Sequence, residues 1–215
     1  MSRRFILASN SPRRRELVGL LGVAFERLSP DVDETPLPDE PPADYTLRVS
    51  AAKARAAAQQ IEGEAVIISA DTTVADGNQI LGKPLDDAEA RAMLEQLRGR
   101  VHQVYTAISL YDTTRQQLAQ DLAVTDVHMR PYSEAEMAAY VASGDPHDKA
   151  GSYAIQNRAF HPVERINGCY TNVVGLPLCH LTRTLARLGV EVGVDVPTVC
   201  QAANAIVCEV YPTIL

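Results

Sequence analysis

No stretch of the chain approaches the roughly 18–20 consecutive apolar residues of a membrane-spanning helix. The basic-then-apolar opening MSRRFILASNS reaches Ser9 too soon to be a signal peptide. Cysteine is sparse, and Cys169, Cys179, Cys200 and Cys208 form no C-x-x-C pair and have no nearby paired histidines. That spacing argues against a zinc site and predicts buried thiols in a reducing compartment. Positive charge is not in excess: 20 Lys and Arg stand against 27 Asp and Glu, a formal net charge of −7. Such a surface does not suit nucleic acid, although a local basic cluster can still focus potential on a small anion. Also missing are G-x-x-x-x-G-K-[ST], G-x-G-x-x-G, G-x-S-x-G and H-E-x-x-H, which removes phosphate-loop kinases, Rossmann oxidoreductases, serine hydrolases and zincins as leading readings. The expectation is a soluble, cytoplasmic protein with no nucleic-acid or membrane partner.

What is present is ordinary globular composition, 46% hydrophobic and 22% charged over 215 residues, enough for one sizeable core or two small lobes. Residues 7–16, LASNSPRRRE, carry a conflict. Ser11 suits a helix N-cap, Pro12 the first helical position, and Leu17, Leu20 and Leu21 an apolar stripe. The first helical turn already carries about half a positive charge and ordinarily prefers acids, yet Arg13, Arg14 and Arg15 occupy it. A solvated face is one reading. A phosphate site is the other, because the strand-like FILAS ahead of the turn would present Ser9, free N–H groups and guanidinium forks at one point.

Further along, DVDETPLPDEPPAD reads as a loop, and Tyr45 to about Ile61 as a helix with Leu47, Ala51, Ala54 and Ala58 on one face. AVIISAD, 65–71, reads as a buried strand ending at Asp71, and TTVADGNQILGKP as a hairpin delivering Gly82, Lys83 and Pro84. Asp86 to Arg98 is a helix, VHQVYTAISLYD and QQLAQDLAVTDVHM are paired strands, and Ser133 with Glu136 forms a capping box. A short strand ending in Gln156, a hairpin at Asn167-Gly168 and a last amphipathic helix after Pro177 complete the reading. With no repeat and no linker, the pattern predicts one compact α/β unit with two lobes around a cleft.

Asp71 is the sharpest chemical position, since open α/β sheets place ligands at the C-terminal ends of strands; an Asx turn explains it equally well. Glu34 is either a second hard oxygen ligand for Mg²⁺ or Mn²⁺ or simply solvated. Lys53 and Lys83 are point charges of the kind that hold phosphate, with Lys83 aimed by its Gly and Pro neighbours. The Gln156 amide reads a base edge or bridges backbone groups.

Taken in order, L-A-S-x-S-P-R-R at 7–14, D-E-T at 33–35, K-A at 53–54, A-D-T at 70–72, G-K-P at 82–84, D-K-A-G-x-Y at 148–153, I-Q at 155–156 and N-V-V-G-L-P-L at 172–178 resemble the Maf family of nucleoside triphosphate pyrophosphatases. The resemblance covers residues 5 to about 190 and implies an inosine-triphosphatase-like (Maf/HAM1) α/β fold, a mixed sheet flanked by helices with the substrate between two lobes. It implies cleavage between the α and β phosphates with a divalent cation, and a homodimer. It makes Asp71 the proton acceptor, places Ser9, Arg14, Lys53 and Lys83 around the triphosphate, and sets Glu34 beside Asp71 near the metal. Arg13, Thr72 and Gln156 resemble the dTTP/UTP branch in place of the 7-methyl-GTP branch. Asn157-Arg158-Ala159 departs from the family's glycine-rich turn, a change expected to reshape the base pocket. Residues 1–190 are read as a single catalytic domain and 191–215 as a C-terminal extension of unassigned role. A non-catalytic nucleotide-binding regulator is the competing reading.

Overall fold

The computed structural model describes residues 3–215. It opens with β1 (Phe5–Ala8), four apolar residues all buried. Ser11 then caps α1 (Pro12–Gly19) by accepting the Arg14 N–H, and Pro12 sits where no N–H is required. Leu17, Val18 and, just beyond, Leu21 bury the inner side of this helix. After β2 (Phe25–Leu28) and the acidic loop comes α2 (Pro42–Ala58). Next, β3 (Val66–Asp76) and β4 (Gln79–Leu81) form the expected hairpin, whose Gly77 takes a left-handed φ of +61°. Asp86 caps α3 (Asp87–Leu97), and β5 (Val101–Asp112) pairs with β6 (Gln117–Met129) along its whole length. The Ser133–Glu136 capping box starts α4 (Glu134–Ala142). Two 3-10 turns, Asp145–Asp148 and Ala150–Ser152, lead to β7 (Val163–Asn167), α5 (Tyr170–Val174), α6 (Leu178–Arg187) and α7 (Val196–Asn204).

The seven strands make one mixed sheet in the order β2-β1-β3-β5-β6-β7, with β4 on the far half of β3. β1 is parallel to β2 and β3, and the remaining pairs are antiparallel. The short and long strands leave a notch. β1 pairs with β3 only as far as Ile68, whereas β4 begins to pair at Val74. Between them β3 has a neighbour on its β5 side alone. α2 covers one face of the parallel strands through Ala54 and Ala57, while α1, α6 and α7 cover the other. A separate core around Val74, Leu94, Met137 and Phe160 lies at the far ends of the long strands, so β3 and β5 serve both lobes.

Several expectations change. β3 does not stop at Asp71 but runs on to Asp76, because β5 pairs with it from Val66 to Ala75 and the β-branched Thr72, Thr73 and Val74 suit that ladder. Asp71 therefore lies mid-strand, and the Asx-turn reading falls. Asn167-Gly168 is no hairpin; it turns β7 into α5, and Gly168 (φ +137°) is needed because a Cβ there would lie 2.6 Å from the Thr125 hydroxyl. No strand precedes Gln156: residues 153–156 are irregular and turn. The buried face of α2 centres on Tyr45, Val49 and Ala54, so Leu47 and Ala58 are only partly covered. α6 is not the last helix, since α7 sends Val196 and Cys200 into the core beneath α1 and α6.

Candidate active site

The notch in the sheet opens into a cavity of about 460 Å³. Five cationic side chains line it, Arg13, Arg14, Lys53, Lys83 and Lys149, against the carboxylates of Glu34 and Asp148. In a chain of net charge −7, this concentration focuses positive potential where the protein as a whole is negative.

The three arginines of α1 part company. Arg14 turns inward, donating from Nε to the Gly175 carbonyl (2.9 Å), from Nη2 to Thr72 Oγ1 (3.0 Å) and from Nη1 to Ser9 Oγ (3.4 Å). Its burial holds the guanidinium below the usual arginine range, with the Asp71 charge opposing that fall. Arg13 reaches across the cleft to Asp148 (3.7 Å), and Arg15 faces solvent. Thr72 passes the network on: its hydroxyl is 2.9 Å from that of Thr106, which donates to the Asn172 carbonyl.

Because side chains alternate along a strand, Asp71 points to the α2 face while Thr72 points to the α1 face. Asp71 is 6% exposed and lies behind Lys53. Lys53 Nζ is 2.8 Å from Asp71 Oδ1 and 2.9 Å from Glu34 Oε1, so both carboxylates converge on one ammonium. On the other carboxylate oxygen, Thr73 Oγ1 donates at 3.5 Å and is itself backed by Thr46 at 2.8 Å. The Tyr45 hydroxyl donates to the Glu34 carbonyl (2.9 Å) and ties the acidic loop to α2. Burial, with the charges of Asp71 and Glu34, pushes the Tyr45 phenol up to about 12.

The far wall comes from the second lobe. Lys149, only 8% exposed, donates to the Asp145 carbonyl and to the carboxylates of Asp145 and Asp148. Gly151 donates to the Gly82 carbonyl (3.0 Å), which fastens this turn beside Lys83. Val74, Val104, Tyr153, Ile155 and Val173 supply apolar surface, and Gln156 stands at the exposed rim. Asn157, Arg158 and Ala159 do not line the cavity. The Asn157 side chain is engaged instead with Asp145 and the Phe160 N–H.

Of the residues singled out from sequence, Ser9, Arg13, Arg14, Glu34, Lys53, Thr72, Lys83 and Gln156 line this cavity, whereas Asp71 is paired with Lys53 behind it and Arg15 does not take part. Sequence reasoning missed Lys149, Tyr153 and the second-lobe carboxylates. The D-K-A-G-x-Y block was the available signal for them. It missed Tyr45, Thr46 and Thr73 because nothing local marks a helix residue that supports a distant carboxylate.

Fold and site together define an α/β protein with a deep, cation-rich cleft where the parallel strands end. The chain belongs to the Maf-like protein family, whose family model matches residues 4–188. It is 47% identical over 186 residues to the dTTP/UTP pyrophosphatase of Geobacter sulfurreducens, covering 86% of this chain and 97% of that one. It is 43% identical over 195 residues to the dTTP/UTP pyrophosphatase of Hahella chejuensis, covering 90% and 96%. Among solved structures it is similar to the Ham1 protein of Staphylococcus aureus, with a TM-score of 0.45 and 16% identity over 61% of this chain and 76% of that chain.

Proposed function

We propose that this chain hydrolyses dTTP and UTP to the nucleoside monophosphate and pyrophosphate. The observation that carries this reading is the single cleft in which Arg13, Arg14, Lys53, Thr72, Lys83 and Gln156 gather beside Asp71, in a chain whose relatives are named dTTP/UTP pyrophosphatases.

A triphosphate brings about four negative charges, and its hydrolysis asks a protein chiefly for positioning and charge stabilisation. The start of α1 with Ser9 and the pre-oriented Arg14 fork binds one end of the polyphosphate, while Lys83 and Lys149 close on it from the second lobe. Arg13 exchanges Asp148 for phosphate oxygen. Lys53 moves from its two carboxylates to the incoming phosphates and uncovers Asp71. Asp71, held by Thr73, then takes a proton from a water that attacks the α-phosphorus, and the cationic side chains stabilise the departing pyrophosphate.

A divalent cation fits Asp71 and Glu34, because both already point an oxygen at one cation position, filled here by the Lys53 ammonium. Two hard oxygens suit Mg²⁺ or Mn²⁺ completed by phosphate and water ligands, and among the described residues no group of three such ligands gathers. The ion would supply charge neutralisation and a lower water pKa. No described helix is long and apolar enough to cross a membrane; a cytoplasmic location and a homodimer complete the proposal.

The Gln156 amide offers a donor and an acceptor side by side, which matches the carbonyl and N3–H shared by uracil and thymine and absent in that form from cytosine. The turn after Gln156 lies outside the cavity and leaves this pocket open. Incubation with dTTP, UTP, CTP, GTP and 7-methyl-GTP in the presence of Mg²⁺ or Mn²⁺ tests the reading. Monophosphate release from dTTP and UTP first is expected, and release from none of them removes the proposal. Gln156→Glu, which loses the donor, is expected to lower kcat/KM for dTTP and UTP about 10- to 100-fold, read from initial rates.

A further inference from the structure

Glu34 is a carboxylate on a segment with little structure of its own. Residues 29–41 join β2 to α2 without a helix or strand, and within 31–40 the one backbone bond among the described residues runs from the Glu40 N–H to the Leu37 carbonyl (3.1 Å). The Glu34 side chain is 52% exposed, with Lys53 at 2.9 Å. A loop residue so placed keeps its position only if other side chains hold the backbone beside it.

Two residues of α2 do so. The Tyr45 hydroxyl donates to the Glu34 carbonyl (2.9 Å), and Arg48 Nη2 donates to the next carbonyl along, that of Thr35 (3.0 Å). The same guanidinium grips Glu40 with both ends of its fork, Nε to Oε1 at 2.6 Å and Nη2 to Oε2 at 2.7 Å, and lies 5.5 Å from the centre of the Tyr45 ring. Oε2 also accepts the Leu37 N–H (3.0 Å), so the turn at 37–40 closes on the carboxylate that Arg48 holds. The Glu40 side chain is only 8% exposed although it belongs to a loop, and its hydrogen bonds to Arg48 keep the carboxyl below the usual range. A planar guanidinium making two parallel contacts fixes direction as well as distance, which an ammonium does not.

Placement along the helix gives this clamp its meaning. Tyr45 and Arg48 share α2 with Lys53, the ammonium on which Glu34 and Asp71 converge. The helix is tied in turn to β3 beside Asp71, through the Thr46 hydroxyl and that of Thr73. The loop that carries Glu34 is therefore held to the same frame as Asp71. Arg48 and Glu40 themselves stay outside the cavity lining.

We propose that Arg48 is a positioning residue for the divalent cation: by clamping Glu40 and the Thr35 carbonyl it holds Glu34 at the cation position shared with Asp71, and so sets how tightly the ion binds. This rests on the assignment of Mg²⁺ or Mn²⁺ to Asp71 and Glu34 above. Without the clamp the loop backbone gains freedom, and Glu34 must be ordered anew each time the ion binds, a cost that falls on affinity. Because Arg48 lies outside the cleft, excess ion restores the rate.

The test measures binding of Mn²⁺ to the whole protein by electron paramagnetic resonance, from loss of the free-ion signal, with a dTTP analogue that carries a methylene group in place of the α–β bridging oxygen. For Arg48→Ala the dissociation constant is expected to rise on the order of 10-fold. The Mn²⁺ concentration for half-maximal dTTP hydrolysis should rise with it, and the rate should recover as Mn²⁺ is added. Glu34→Gln is expected to weaken Mn²⁺ at least as much, and Arg48→Ala added to it to weaken Mn²⁺ no further, because both act through one carboxylate. Glu40→Gln, a milder change, is expected to shift the same constant about 3-fold, and it decides the matter if urea midpoints show Arg48→Ala to be unfolded. Unchanged Mn²⁺ binding in the folded variants, a further loss in the double variant, or a fall in rate that saturating Mn²⁺ leaves in place overturns the proposal. If the parent chain binds Mn²⁺ but releases no monophosphate, the hydrolase reading fails while the binding data still decide the clamp.

Discussion

Lys53 stands between Asp71 and Glu34 in the empty cleft and, on our account, against phosphate in the filled one. Lys53→Ala removes a charged contact worth about 1.5–3 kcal/mol, so kcat/KM for dTTP is expected to fall 10- to 100-fold, read from steady-state rates; an unchanged value would put Lys53 outside the site. His102 gives a residue-scale prediction of another kind. It is fully buried beside the Tyr153 hydroxyl (2.7 Å), and burial lowers its pKa from 6.5 to about 4. The unfolded chain takes up that proton near pH 6.5 and the folded one only near 4, so the unfolded state binds more protons in between. Stability contributed by neutral His102 is complete above pH 6.5 and declines by up to about 3 kcal/mol as pH drops towards 4. Urea midpoints across that range should fall less steeply for His102→Gln than for the parent chain.

At the scale of elements, what the sequence revealed was local chemistry. Ser11, Asp86 and Ser133 cap their helices, and Gly77 turns its hairpin, because each effect is settled within about four residues. What it concealed depended on distant partners. β3 continues past Asp71 because β5 is there to pair with it, and Gly168 serves a close crossing over Thr125, although Asn-Gly is also a hairpin signature. The same distance effect hid Lys149, whose partners assemble only when the two 3-10 turns fold. Gly151 tests this element directly: its φ is +67° and an added Cβ would come 2.8 Å from Val74 Cγ1. Gly151→Ala is expected to cost about 1–3 kcal/mol in chemical denaturation and to raise the KM for dTTP, since Lys83 and Lys149 flank the displaced turn.

For the molecule as a whole, two lobes share the long strands and face each other across a cleft whose charge opposes that of the surface around it. The final segment takes part in this body. Val196 and Cys200 are 2% and 7% exposed in the core under α1 and α6, so deletion of 191–215 is expected to lower stability by at least about 2 kcal/mol and to reduce Tm in calorimetry; an unchanged Tm would make that segment an appendage. The measurement that bears most directly on the central claim is product analysis of dTTP turnover by the parent chain and by Asp71→Asn. The account predicts dTMP and pyrophosphate in equal amounts from the parent, and a rate lower by orders of magnitude from a variant that still binds dTTP. Products of dTDP and phosphate, or an undiminished rate from the variant, would contradict it.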